Sequence, residues 1–159
     1  MQGIVSIMIK SLYMREPLRD RERLVHIKEA IDRILRYTED KSYEDLVADD
    51  MMYYAVVKNI EIIGEAANML TQSFQQAHPD TPWKMVKGMR NYIVHEYFQI
   101  DDIVVWDVVK SNIPELREQI TRYISETNWD EWEQRGITPS FKEPPPKDPC
   151  PVLPVMEGR

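Results

Sequence analysis

Apolar residues recur at three- and four-residue intervals from Leu24 to Ile124 and rarely alternate. That period suits one face of a helix and not one face of a strand. Only 5 glycines and 3 phenylalanines among 159 residues agree with helices over sheets. The expectation is an all-α, up-and-down antiparallel bundle of four main helices plus a short one, packed around a single core.

The first helix is expected from Asp20 to about Thr38, with Leu24, Ile27, Ile31, Ile34 and Leu35 inward and Arg21, Glu22, Glu29, Asp32, Arg33 and Arg36 outward. Ser42 followed by Asp45 resembles a capping start for a short helical turn through Val47. A second long helix is expected from Asp49 to about Gln75, burying Met52, Val56, Ile60, Ile63, Ala67 and Leu70. Gly64 interrupts it at a cost of about 1 kcal/mol relative to alanine, which close approach of another helix would explain. Thr81-Pro82 reads as a cap with proline at the first helical position, opening a third helix at Trp83 with Met85, Val86, Met89, Ile93 and Val94 inward. A fourth is expected from Asp101 or Asp102, with Ile103, Trp106, Val109, Ile113, Leu116, Ile120 and Ile124 inward, kinked or split near Ser111 by Pro114.

Three segments follow from this pattern: an N-terminal extension over 1–16, a helical domain over 17–128 and a proline-rich tail over 129–159. Met14 ahead of Pro17 looks like a natural second start. The tail holds seven of the 11 prolines, which forbid a continuous helix, although Trp129 and Trp132 could still pack. No run approaches the length of a membrane span, so a cytoplasmic location is expected. Cys150 is the single cysteine and can form no internal disulfide. His26, His78 and His95 lack the short repeated spacings of a zinc site, so neither metal nor cofactor is expected.

A formal charge of −7 argues against a surface coated for nucleic acid. The charge is unevenly placed, however. Between Thr81 and Ile100, Lys84, Lys87 and Arg90 face a single acid, Glu96, while acids crowd Asp40–Asp50 and Asp101–Asp107. The same stretch carries Arg90-Asn91-Tyr92-Ile93-Val94-His95-Glu96-Tyr97. An arginine can hold a phosphate, a histidine can move a proton and a tyrosine offers a hydroxyl for modification. These are parts for phosphodiester chemistry without a metal. Each group singly is also at home on a surface, and a cation near a helix C-terminus gains about 0.3–1 kcal/mol from the helix dipole. Residue types alone leave both readings open. On an ideal helix Arg90 and His95 point about 140° apart, while Tyr97 returns to the face of Arg90. Convergence requires local unwinding near His95, a swing of the arginine, or a second subunit. Asn91 lies four residues before His95, placed to orient the ring or assist phosphate binding. Tyr92 reads as a packed phenol with a polar tip.

The pattern Arg, four residues, His, one residue, Tyr resembles the signature of the HepT-like toxins, a branch of the HEPN superfamily. The blocks 25–31 (VHIKEAI), 58–67 (KNIEIIGEAA) and 82–91 (PWKMVKGMRN) are similar to that family as well, over about residues 14–127. The resemblance implies an HEPN-like, usually dimeric ribonuclease that needs no metal and acts on tRNA or mRNA as the toxin of a type VII-like toxin–antitoxin pair. His95 would then be the general base, Arg90 the phosphate binder and transition-state stabiliser, and Asn91 an auxiliary, with 2′,3′-cyclic phosphate products. Two-fold pairing would gather Lys84 and Lys87 around the RNA. The implied partner is an MntA-like nucleotidyltransferase antitoxin that transfers AMP to Tyr97. Two other functions compete: a non-catalytic nucleotide- or RNA-binding module, and a structural partner of a nucleotidyltransferase with no activity of its own.

Overall fold

The computed structural model describes residues 19–95 and 100–136, without the side chains of Val94 and His95. All regular structure among them is helical. Helix α1 (Asp20–Tyr37) buries Leu24, Ile27, Ala30, Ile31 and Ile34 and stops where Thr38 turns both its amide and its hydroxyl onto the Ile34 carbonyl. Asp40, with φ 54°, turns the chain in the left-handed region that aspartate tolerates. Helix α2 (Tyr43–Ala48) begins with the expected reciprocal cap, Asp45 N to Ser42 Oγ at 3.2 Å and Ser42 N to Asp45 Oδ2 at 2.8 Å. These hydrogen bonds, led by that from the Ser42 backbone, hold the Asp45 carboxyl below its ordinary pKa.

Helix α3 (Asp50–Asn68) is capped by Asp49, whose Oδ1 accepts from Met52 N at 3.0 Å. It ends seven residues short of the expected Gln75. Thr71 opens a separate helix α4 (Gln72–Ala77) by accepting from Phe74 N. Thr71 is itself gripped by the buried Asp20, through its amide at 2.8 Å and its hydroxyl at 2.7 Å. That long-range grip overrides an apolar pattern that runs on through Met69 and Leu70.

Helix α5 (Trp83–His95) follows Thr81-Pro82. Thr81 is buried and spends its hydroxyl across the bundle, on Gln119 Oε1 and the Tyr123 hydroxyl, both at 2.8 Å. Helix α6 (Asp102–Asp107) is capped by Asp101 and leads into a single π turn, Val108–Asn112, before α7 (Ile113–Glu126). Pro114 offers no N–H to the Lys110 carbonyl, and the wider π turn absorbs that missing bond. The expected break near Ser111 is thus a local widening.

Pairings fix the antiparallel order. Asp20 at the start of α1 meets Thr71 beyond the end of α3, Tyr53 near the start of α3 is close to Tyr92 late in α5, and Asp32 meets Arg117. Helices α1, α3, α5 and α7 thereby form the up-and-down bundle. Asp32 receives Lys28 and Arg117, each at 2.7 Å. Burial, the largest single influence, pushes its carboxyl pKa up, but the hydrogen bonds and charges of the two cations together hold it below the ordinary value.

One end of the bundle is closed by aromatic rings. Phe74, fully buried, stacks on His78 (4.1 Å) and Trp129 (6.1 Å) and meets Trp83, Tyr123 and Trp132 edge-on. Helix α8 (Trp129–Gly136) supplies two of those rings, and Trp132 Nε1 donates to Asp20 at 3.0 Å. Packing therefore passes the compositional boundary at 128/129, as the two tryptophans allow. The proline-rich 137–159 and the segment 1–18 lie outside the described residues. Two residues expected inward point outward instead: Met85 is 67% and Ile103 64% exposed. No described helix is long and apolar enough to cross a membrane.

Candidate functional site

Helix α5 stays helical from Trp83 through His95, so local unwinding does not bring Arg90 and His95 together. The backbone positions of Lys84, Gly88, Asn91 and His95 fall at i, i+4, i+7 and i+11, one stripe of the helix. Lys84, Gly88 and Asn91 are exposed on it. Lys87 lies beside the stripe, half-buried, and its Nζ donates to Gln75 Oε1 at 2.9 Å. Gln75 in turn is anchored to the Leu70 carbonyl. The lysine is thus tied to the short link that the Thr71 cap creates.

Arg90 packs directly against Gly64 of α3. A Cβ added to Gly64 would lie 2.3 Å from Arg90 Cβ, 3.1 Å from its amide nitrogen and 3.2 Å from its Cα. Only a residue without a side chain fits there. The close approach expected at Gly64 is real, and the residue that makes it is the motif arginine. The Arg90 side chain is 38% exposed. Its Nε, shielded from solvent, lies 3.1 Å from Glu65 Oε2, as a charge contact without the alignment of a hydrogen bond. Its Nη1 donates to Asn91 Oδ1 at 3.2 Å. That bond ties the guanidinium to Asn91, a residue of the exposed stripe.

Beyond Arg90 the helix is secured by phenols. The Tyr92 oxygen accepts from Asp101 N at 3.2 Å, in keeping with a packed ring and a polar tip. Burial, then the hydrogen bond and charge of Asp102, raise the pKa of Tyr53 and keep its phenol protonated. The His95 side chain and all of Tyr97 lie outside the described residues. Sequence reasoning missed Glu65, Gln75, Tyr53 and Asp102. Only Glu65 carried a signal, its place directly after the anomalous Gly64.

On the opposite flank of α5 an apolar groove of about 150 Å³ opens between α5 and α7. Ile60, Ile63, Val86, Met89, Ile113 and Leu116 line it, with the exposed Met85 at its rim.

The arrangement offers oriented cationic donors along one helix face. A family model described as Ribonuclease HepT-like matches residues 27–123, which include Gly64, Glu65, Arg90, Asn91 and His95. A Methanocaldococcus jannaschii chain named "Putative RNase" is 35% identical over 97 residues, 61% of this chain and 89% of that one. A Thermococcus cleftensis chain named "Probable ribonuclease HepT" is 37% identical over 97 residues, 61% of this chain and 88% of its own. A Caldanaerobacter subterraneus chain, also named "Putative RNase", is 36% identical over 100 residues, covering 63% and 89%. No solved structure matches.

Proposed function

The chain belongs to the HepT-like ribonuclease family, an all-α HEPN-like bundle, and from that premise we propose that it is a metal-independent RNA endonuclease acting as the toxin of a two-component toxin–antitoxin pair. One observation carries the reading. Gly64 admits the Arg90 backbone against α3, Glu65 Oε2 stands 3.1 Å from its Nε, and Asn91 accepts from its Nη1 at 3.2 Å.

RNA carries its own nucleophile. On this reading His95 takes the proton of the 2′-hydroxyl, the freed oxygen attacks the adjacent phosphorus, and the bond to the 5′-oxygen breaks, that oxygen taking a proton from solvent. The products are a 2′,3′-cyclic phosphate and a 5′-hydroxyl. Arg90 neutralises charge that develops on the phosphoryl oxygens, Asn91 assists, and Lys84 and Lys87 hold the flanking backbone. The two-fold dimer belongs to the same proposal. A face with both an exposed methionine and an apolar groove can pair with its own copy, since an isologous contact needs knob and hole on one surface.

The off-switch is a partner nucleotidyltransferase. The Tyr97 hydroxyl would attack the α-phosphorus of ATP, forming a tyrosyl–AMP ester and releasing pyrophosphate. The added phosphate is bulky and anionic, and suited to occupy the arginine.

The test is cleavage of tRNA and mRNA by purified protein in EDTA, with the product ends identified. Cyclic phosphate ends are expected, with losses of about 10²–10⁴-fold in His95→Ala, the range of a general base. Intact RNA with the unaltered protein would overturn the nuclease reading. Phosphate-dependent binding that survives His95→Ala without cleavage would identify a binding module instead. Intact mass after incubation with ATP and the partner should rise in multiples of AMP, and Tyr97→Phe should abolish the rise. A rise that persists in Tyr97→Phe would remove the tyrosine from the proposal.

A further inference from the structure

We propose that Glu65 is a positioning residue for the reaction, acting through Arg90 to aim its free N–H groups at the scissile phosphate. The proposal rests on the ribonuclease reading of the same site and names a residue outside the motif.

Guanidinium carries five N–H donors in a rigid fork. Glu65 Oε2 stands 3.1 Å from Nε, and Asn91 Oδ1 takes one hydrogen of Nη1 at 3.2 Å. The other three N–H groups have no partner among the described residues. Among the described residues the fork therefore has contacts at two points and none along the rest of its edge, an arrangement compatible with bidentate capture of a phosphate. An unrestrained arginine has four rotatable bonds and would be ordered only when RNA binds, at the expense of affinity or rate.

The placement is specific to this carboxylate. Gly64 lets the Arg90 backbone touch α3, and the next residue on α3 then lies beside the emerging arginine side chain. Glu61, one turn back, falls on the same exposed strip of α3 but is engaged by Lys58 at 3.2 Å. The Nε atom is shielded from solvent while the Arg90 and Glu65 side chains are 38% and 51% exposed, so the contact restrains direction more than it adds energy. If Glu65 merely competed with phosphate for the arginine, it would weaken RNA binding and leave the turnover of bound RNA alone. Positioning predicts the reverse.

The experiment compares Glu65→Gln, Glu65→Ala and the control Glu61→Gln in single-turnover RNA cleavage, with RNA affinity and thermal unfolding measured alongside. Expected are a fall in the rate at saturating RNA of about 10–100-fold for Glu65→Ala, the order a 1 Å misplacement costs, and a smaller fall for Glu65→Gln, which keeps an acceptor. Affinity should be unchanged, the melting temperature unchanged, and Glu61→Gln indistinguishable from the unaltered chain. Faster or equal cleavage in both Glu65 variants would overturn positioning in favour of competition. A fall matched by lost stability would assign Glu65 a structural role. The nitrogen–proton resonance of Arg90 Nε, assigned with Arg90→Lys, gives a readout that needs no activity. It should be protected from exchange in the unaltered chain and lose protection in Glu65→Ala. Equal exchange in both would refute the pairing even if the chain cleaves nothing. Failure of the unaltered protein to cleave would refute the ribonuclease reading separately.

Discussion

Two glycines separate a packing requirement from a helix-propensity effect. Gly64→Ala places a methyl 2.3 Å from Arg90 Cβ, and ordinary contact begins near 3.4 Å, so α5 must retreat by about 1 Å. The backbone atoms at 3.1 and 3.2 Å are no easier to move than a helix. Overpacking of this kind costs about 1–3 kcal/mol, and alanine returns about 1 kcal/mol of helix propensity, leaving a net loss of about 0–2 kcal/mol. Gly88→Ala meets nothing within 4 Å and should gain the propensity term alone, about 1 kcal/mol. The two variants should thus differ by about 1–3 kcal/mol, or on the order of 1 M in urea midpoint for a typical slope, with the slope itself unchanged. Cleavage should fall by about 10²-fold in Gly64→Ala, because the displaced residue carries the guanidinium proposed to bind phosphate. Equal stabilisation by both alanines would refute the close approach. Loss of stability in Gly64→Ala with undiminished cleavage would refute the link between that approach and Arg90.

Asp20→Ala should destabilise by about 1–3 kcal/mol by orphaning the Thr71 amide and hydroxyl and the Trp132 ring N–H, read as a lower urea midpoint; an unchanged midpoint would mean that α4 and α8 dock without it. Asp32 has a depressed folded pKa, so its contribution is present above its unfolded value of about 3.9 and is lost as pH falls through the folded one. The stability gap between the unaltered chain and Asp32→Asn should hold from pH 7 to about 5 and close below about 4, and a gap that persists at low pH would refute the pairing with Lys28 and Arg117. The salt dependence of RNA binding should report how many protomers take part: Lys84, Lys87 and Arg90 from one chain give a log–log slope of about −2 and from two chains about −4. Those slopes are measured on His95→Ala, and one near zero would remove the three cations from the RNA track.

The helices were legible because their signals are local. Capping of α2 needs only Ser42 and Asp45, and the α1 core stripe needs only its own period. The break between α3 and α4 was not legible, because what makes it is Asp20, 51 residues away from Thr71. Met85 was misplaced for a related reason. Its angle on α5 points between neighbours, and whether that direction is core or solvent depends on how far α7 stands off, which leaves a groove there. At the site, Arg90 and Asn91 stand out as candidates by residue type, whereas Glu65 looks like any solvated acid on a helix until the register of α3 against α5 sets it beside the arginine. Gly64 was an anomaly with several explanations, and the fold selected one.

That register also bears on how an acidic chain can handle RNA. A bare cationic patch would draw phosphate from any direction, and its attraction would be similar for substrate, product and every other polyanion. Placing Glu65 against Nε removes much of the net charge of Arg90 from the long-range field but leaves its remaining N–H vectors fixed in space. On the proposed reading, affinity falls to Lys84 and Lys87, of which the second is itself held by Gln75, while Arg90 acts on a phosphate that is already in reach. Catalysis rewards this division, because stabilisation that appears only as charge develops on the phosphoryl oxygens speeds the reaction, whereas charge that binds the ground state equally well does not. An acid beside the catalytic arginine is therefore compatible with phosphate chemistry, and on the proposed reading it is part of what makes the site discriminating.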